Sequence, residues 1–257
     1  MYYESIIVGL FFNDMRPLHV IMPMAGEGSR FVREGWTTPK PLIELDGVPL
    51  FLRAIGSVAI DGVPMQHSFI VRQEHIDRYG IDQRIREHLP EANIFSVEQT
   101  TRGAVETCLK AESALKSDEG VVVLDCDLEF RSLQYADFVK EKLSQSEDLS
   151  NGGVLVSFES DEPRYSYAAV DERMRVIRTA EKEVISRHAL CGAYFFSTAK
   201  GFLSAAHRLM NEASFDKPEY YVSLLYNYLL ADGETVRLAT LDDYRSYGTP
   251  EELKRYQ

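Results

Sequence analysis

Two basic and two acidic residues sit where apolar runs of this chain give way to loops. Residues 20 to 43 read VIMPMAGEGSRFVREGWTTPKPLI, in which Arg30 ends a glycine-bearing loop and Lys40 is held between Pro39 and Pro41. Glycines let backbone N–H groups approach a polyanion closely, and fixed cations neutralise charge that builds up on phosphorus. The pattern points to a nucleoside triphosphate undergoing attack. Further on, Asp125-Cys126-Asp127 follows the apolar run Val121–Leu124. Carboxylates just past a buried strand can bind Mg²⁺, which prefers oxygen ligands, but Asp equally favours a strand-end turn or a helix N-cap.

These residues need a frame, and the apolar pattern supplies one. Strand-like runs at Leu18–Met22, Ser68–Val71, Asn93–Val97 and Val121–Leu124 alternate with helical patterns around Pro49–Ala59, His75–His88 and Ala104–Leu115. Such alternation predicts βαβ units: a Rossmann-like α/β domain whose mixed, mainly parallel sheet is flanked by helices. The later part predicts strands at Gly153–Phe158, Ala168–Asp171, Val176–Thr179 and Ala193–Phe196 as a mixed extension of that sheet. Helices at Ala199–Glu212 and Glu219–Ala231, a strand at Thr235–Ala239 and a last helix from Pro250 complete the pattern. With no linker-like tract or repeat, a single domain over residues 18–257 is expected, preceded by residues 1–17 as an extension of uncertain structure.

In open sheets of this kind ligands bind beyond the carboxyl ends of the strands. The glycine loop, Gln99–Gly103 and Asp125–Asp127 all fall at such ends. The loop is not a Walker A sequence, since no Gly-Lys-Ser/Thr closes it, and Phe31 stands where the dinucleotide fingerprint needs a third glycine. Asp127 gains weight because the fourth strand should lie near the first. Asp125 is expected to face the other side or to support the site indirectly.

Composition narrows the classes. At 257 residues, 45% hydrophobic and 26% charged, the chain reads as a soluble globular protein with a substantial core. A net charge of -12 argues against a general nucleic-acid binder but leaves room for a few local cations. No apolar run is long enough to span a bilayer, and the N-terminal apolar segment lacks a basic region and a cleavage site. Three cysteines without metal-like spacing favour a reduced, cytoplasmic protein without membrane partners.

Together these motifs resemble the sugar-phosphate nucleotidyltransferase (nucleoside-diphosphate-sugar pyrophosphorylase) family. The resemblance rests on Gly26, Gly28 and Arg30, then Pro39-Lys40-Pro41-Leu42, Gly103-Ala104, Asp127, Glu181-Lys182, Gly192-Ala193-Tyr194-Phe195 and Gly248-Thr249-Pro250-Glu251, in that order. It implies a fold of the nucleotidyltransferase type and transfer of NMP from an NTP to a sugar 1-phosphate or similar phosphorylated metabolite, releasing pyrophosphate. It implies that Arg30 holds the β- and γ-phosphates, Lys40 neutralises the α-phosphoryl oxygens, and Asp127 holds Mg²⁺. Ala25, Gly26 and Gly28 would seat the nucleotide, while Gln99 and Gly103 read its base, with a lean to pyrimidines. Tyr167, Glu181, Lys182 and Gly192 would serve the acceptor, and Tyr165 and Tyr194 are candidates for its pocket or for packing.

One departure stands out. Many family members carry a second metal-binding Asp in a Trp-x-Asp-x-Gly-Thr segment, and here Ser246 occupies that place. Asp242 or Asp243 could substitute, or one carboxylate and the substrate phosphates could suffice. Two other classes compete. A nucleotide-sugar-dependent glycosyltransferase would use Asp125-x-Asp127 but has no need of Arg30 and Lys40; a catalytically silent nucleotide sensor would explain Ser246. The acceptor, the base and the oligomeric state are not fixed by the sequence.

Overall fold

The computed structural model describes residues 15–144, 150–212 and 217–257. Residues 1–14 of the expected N-terminal extension lie outside the described residues. Of the rest, Arg16 is tied to the domain: its guanidinium donates to the carbonyls of Asp118, Lys142 and Ser197.

The first half builds the parallel sheet. Strand β1 (Leu18–Met24) leads into the short helix α1 (Ser29–Arg33). A two-stranded hairpin, β2 (Glu44–Leu45) and β3 (Val48–Pro49), precedes α2 (Leu50–Val58), β4 (Met65–Arg72), α3 (Gln73–Tyr79) and α4 (Ile81–His88). Next come β5 (Asn93–Val97), α5 (Ala104–Cys108) and β6 (Gly120–Leu124). Strand β1 pairs in parallel with β4 on one side and β6 on the other, and β4 pairs in parallel with β5. All four therefore end at the same edge of the sheet.

The second half closes around that edge. It contains β7 (Leu128–Arg131), α6 (Leu133–Ser144), β8 (Gly153–Glu159), β9 (Ser166–Val170), β10 (Val176–Glu181) and β11 (His188–Phe196). After these come α7 (Ala199–Met210), α8 (Leu225–Ala231), β12 (Val236–Thr240), β13 (Asp243–Ser246) and α9 (Pro250–Lys254). The main sheet runs β10-β9-β11-β6-β1-β4-β5, with β8 on the other edge of β11 and β12 beyond it. Strand β11 is antiparallel to β6, so the sheet is mixed, and helices cover both faces.

Alternation along the strands explains the layers. Val122 and Leu124 of β6 join Phe51 and Ala54 of α2 and Val139 of α6 on one face. Val121 and Val123 join Val105 of α5, Phe202 of α7 and Leu225 of α8 on the other. A strand buried on both faces must be apolar at every position, which is why β6 reads as an unbroken valine run.

Two expectations are corrected in detail. The helix expected over His75–His88 is two helices, broken at Gly80, whose φ of 59° ends α3 in the left-handed conformation. The helix expected over Ala104–Leu115 tightens after Cys108 into a 3₁₀ stretch, Leu109–Ala114. Helix α6 and the pairing of β13 with β7 were not anticipated. Among the described residues no helix is long and apolar enough to cross a membrane.

Candidate active site

The site lies where β6 stops. Along one edge of β11, Ala193 pairs with Leu124 of β6, whereas Ala189 pairs with Tyr167 of β9. The partner changes between these positions, and the register of β11 against β8 shifts between Leu190 and Tyr194. The chain leaving β6 enters this notch, carrying Asp125 and Asp127 to the wall of a cavity of about 290 Å³.

Gly192 creates the room. Its φ of +100° favours glycine, and a Cβ there would lie 2.5 Å from Asp125 Oδ2 and 2.9 Å from Leu128 Cδ2. Among the described residues no group donates a hydrogen bond to the Asp125 side chain. Burial, then the neighbouring charge of Asp127, pushes the Asp125 carboxyl up to about 7, against the pull of Lys40. Asp125 lines the same cavity as Asp127, rather than lying on the opposite side.

Lys40 reaches this notch from the first half of the chain. Pro39 is extended, Leu42 N–H donates to Pro39 O at 2.9 Å, and buried Pro41 and Leu42 anchor the turn. The Lys40 ammonium then donates to Asp127 Oδ2 at 2.7 Å, with the two side chains 24% and 20% exposed. Burial works against its charge, but the ion pair and hydrogen bond with Asp127, and the nearby Asp125, hold it above the ordinary lysine range. Burial also pushes the Cys126 thiol up to about 12, so the residue between the acids stays neutral. Arg30, exposed on α1, lines the same cavity and has no ion-pair partner among the described residues. Lys40 and Asp127 meet, and Arg30 shares a cavity wall with Asp127.

A second cleft of about 450 Å³ opens on the glycine loop, lined by Gly26, Gly28 and Lys40 and also by Arg72, His75 and Arg78. Ala25 is buried, and its carbonyl accepts a long 3.5 Å contact from Arg72, which also donates to Thr100 at 3.1 Å. Gly103 opens α5, and a Cβ there would lie 2.4 Å from Tyr220 N, so only glycine allows that close approach. Gln99 is exposed and lines neither cavity. Arg72 gave no sequence signal beyond its place at a strand end.

The acceptor side is partly rearranged. Glu181 lines the 290 Å³ cavity and is nearly buried, its carboxylate accepting from the hydroxyls of Ser166 and Ser223. Burial raises its carboxyl above the usual range, against those two hydrogen bonds. Tyr165 and Tyr194 also line the cavity. Tyr167 does not. It is fully buried and donates its hydroxyl to Glu162 O at 2.7 Å, because strand alternation turns it inward while Ser166 faces the cavity. Lys182, at φ 54°, sends its ammonium 2.7 Å to the hydroxyl of Tyr221, a cavity-wall residue.

The C-terminal segment settles where Ser246 points. Its hydroxyl donates to Glu252 Oε2 at 2.8 Å. Glu252 also closes a capping box with Thr249 and pairs with Arg164 at 2.9 Å. Asp242 instead accepts from Leu133 N–H at the start of α6, and neither it nor Asp243 lines the cavity. Neither substitutes for the missing carboxylate. Among the described residues no group of three or more His, Cys, Asp or Glu could hold a metal. Asp127 with the unbonded Asp125 nevertheless fits a hard divalent cation, since Mg²⁺ takes one or two carboxylates and completes its shell with water and phosphate oxygens.

Residues 19–232 match the nucleotidyl transferase family, so the chain belongs to it and is a nucleotidyltransferase. Solved structures share the fold. A nucleoside-diphosphate-sugar pyrophosphorylase from Vibrio cholerae RC9 aligns with a TM-score of 0.76 and 24% identity, over 92% of this chain and 98% of its own. A protein provisionally assigned as a glucose-1-phosphate thymidylyltransferase, from Bacillus anthracis, gives 0.71 and 20%, over 93% of each chain. The inositol-1-phosphate CTP transferase from T. maritima gives 0.68 and 18%, over 96% of this chain and 95% of its own.

Proposed function

We propose, from that family membership, that the chain transfers a nucleoside monophosphate from an NTP to a sugar 1-phosphate or similar phosphorylated metabolite, releasing pyrophosphate. The observation that carries this reading is the Lys40–Asp127 pair at the end of β6, with Arg30 on the wall of the same cavity. The names of two structural neighbours, a thymidylyltransferase and a CTP transferase, support a pyrimidine nucleotide.

An oxygen of the acceptor phosphate attacks the α-phosphorus in line, and the bond from that phosphorus to the oxygen shared with the β-phosphorus breaks, so that oxygen leaves with pyrophosphate. No covalent enzyme intermediate is needed, so catalysis is alignment plus charge stabilisation. Arg30 holds the β- and γ-phosphates and stabilises pyrophosphate as it leaves. Lys40 neutralises the α-phosphoryl oxygens as charge develops. Asp127 keeps Lys40 oriented in the free protein and is the residue that would hold Mg²⁺. When bound, a divalent cation would supply neutralisation of phosphate charge.

Ala25, Gly26 and Gly28 seat the nucleotide through backbone groups, and Gly103 allows the loop before α5 to pass close to Tyr220. Glu181 accepts hydrogen bonds from the acceptor's polar body. The cytoplasm is the proposed compartment, which suits three buried free cysteines.

The test is a pyrophosphate-release screen of the common NTPs against a panel of phosphorylated sugars and amino alcohols. A pyrimidine NTP with one acceptor class is expected to release pyrophosphate. Transfer from a preformed nucleotide sugar, with no pyrophosphate from any NTP, would overturn the reading.

A further inference from the structure

We infer that Asp125 is the second carboxylate ligand of the divalent cation, taking over from inside the notch the place that Ser246 leaves without an acid. The inference rests on the proposed function insofar as that function calls for a cation beside Asp127. Four features of the chain's own residues carry it.

First, the acid of the C-terminal segment that lines the cavity, Glu252, is already engaged. Glu252, the acid bonded to Ser246, already accepts from Ser246, Thr249 N–H and Arg164. Second, Asp242 is bonded to the backbone at the start of α6, away from the cavity. Third, Asp125 lines the cavity with Asp127 and receives no hydrogen bond among the described residues, so its oxygens are available. Fourth, a left-handed glycine is placed against it. Any side chain at Gly192 would fill the space that Asp125 Oδ2 occupies.

Two carboxylates in one cavity, one carrying Lys40 and the other carrying nothing, repel each other until a cation joins them. With Lys40 turned to the substrate phosphate, Asp127 and Asp125 are the residues that would hold the cation. The two ligands thus come from one short segment, two residues apart, and the site no longer depends on how the C-terminal helix packs.

Mn²⁺ binding tests this without turnover. Loss of the free Mn²⁺ electron paramagnetic resonance signal, with and without inorganic pyrophosphate, gives the affinity of the wild-type chain and of Asp125→Asn and Glu181→Gln. Asp125→Asn is expected to weaken binding at least about tenfold, whereas Glu181→Gln, which removes a carboxylate already bonded to two serines, stays within about twofold. Asp125→Asn binding as tightly as wild type overturns the inference. So does equal weakening by both variants, which would mean only a change in the field of the cavity.

Should Asp125→Asn fail to fold, ¹³C-aspartate labelling of the wild-type chain reads the same point. Diamagnetic Mg²⁺ is expected to shift the Asp125 carboxyl resonance along with that of Asp127, and an Asp125 resonance that stays in place while that of Asp127 moves overturns the inference. Because Mn²⁺ binding needs no acceptor, a chain that ligates through Asp125 yet never releases pyrophosphate would sink the proposed function alone.

Discussion

The central strands carry two acid–base pairs, one at each end, and they are built differently. At the amino end, His19 of β1 hydrogen-bonds Glu119 at 3.0 Å and Ser68 at 2.7 Å, with the pair 0% and 1% exposed. Glu119 Oε1 also accepts from Lys116 N–H at 2.9 Å. No cavity opens on that pair among those described. At the carboxyl end, Lys40 and Asp127 lie at a similar separation but are partly exposed, stand between two clefts, and have the unbonded Asp125 beside them. A sealed network holds strands together. An open one, with a carboxylate to spare, can exchange its internal partner for a ligand.

The comparison predicts opposite phenotypes for the two ends. The largest effect belongs to the open pair: Asp127→Asn should lower the rate of pyrophosphate release at least about a hundredfold, and Lys40→Ala at least about tenfold, with small changes in Tm. Arg30→Ala should also cost at least about tenfold in the same assay, and a wild-type rate would remove it from the mechanism. At the sealed end, His19→Phe strands the buried groups of Glu119 and Ser68. Denaturant unfolding should show a loss of about 2 to 3 kcal/mol, with turnover per folded molecule unchanged. A fall in turnover at constant stability would mean that the amino end is coupled to the site.

Gly192→Ala should sharpen the contrast within the open end. The substitution forces a left-handed residue and a clash with Asp125, so it should lose both activity and Mn²⁺ affinity while the rest of the sheet stays folded by circular dichroism.

The smallest effect concerns His67, next to the sealed network. Burial, then His19, pushes its imidazole down from 6.5 to about 4. The unfolded chain therefore binds the proton first, so His67 contributes a loss of stability as pH falls from about 6.5 towards 4. His67→Phe should flatten the dependence of Tm on pH in that window. An unchanged slope would assign it to other groups.

What could be read from the sequence divides along the same physical line. The strands of the parallel half, and Arg30, Lys40 and Asp127, follow from local rules: apolar runs ending in glycine or acid at a sheet edge. The acceptor side obeys longer-range facts. Tyr167 was expected at the cavity, but only the pairing of β9 with β11 decides that Ser166 faces it instead. Asp125 was expected to turn away or act indirectly, and its true orientation depends on a distant glycine in β11. Gln99 sits after its predicted strand, yet it is exposed and off both cavities. The Glu252–Arg164 pair had no signal in the chain, because its partners are far apart in sequence and meet only when α9 docks.

The central claim is that Lys40 and Asp127 act as one unit on one phosphorus. A double-mutant cycle in pyrophosphate release, using the NTP and acceptor that give turnover, tests it most directly. Lys40→Ala with Asp127→Asn should be slowed by less than the product of the two single losses, since both residues act on the same phosphorus. Losses that multiply, or either single variant turning over at the wild-type rate, would contradict the account.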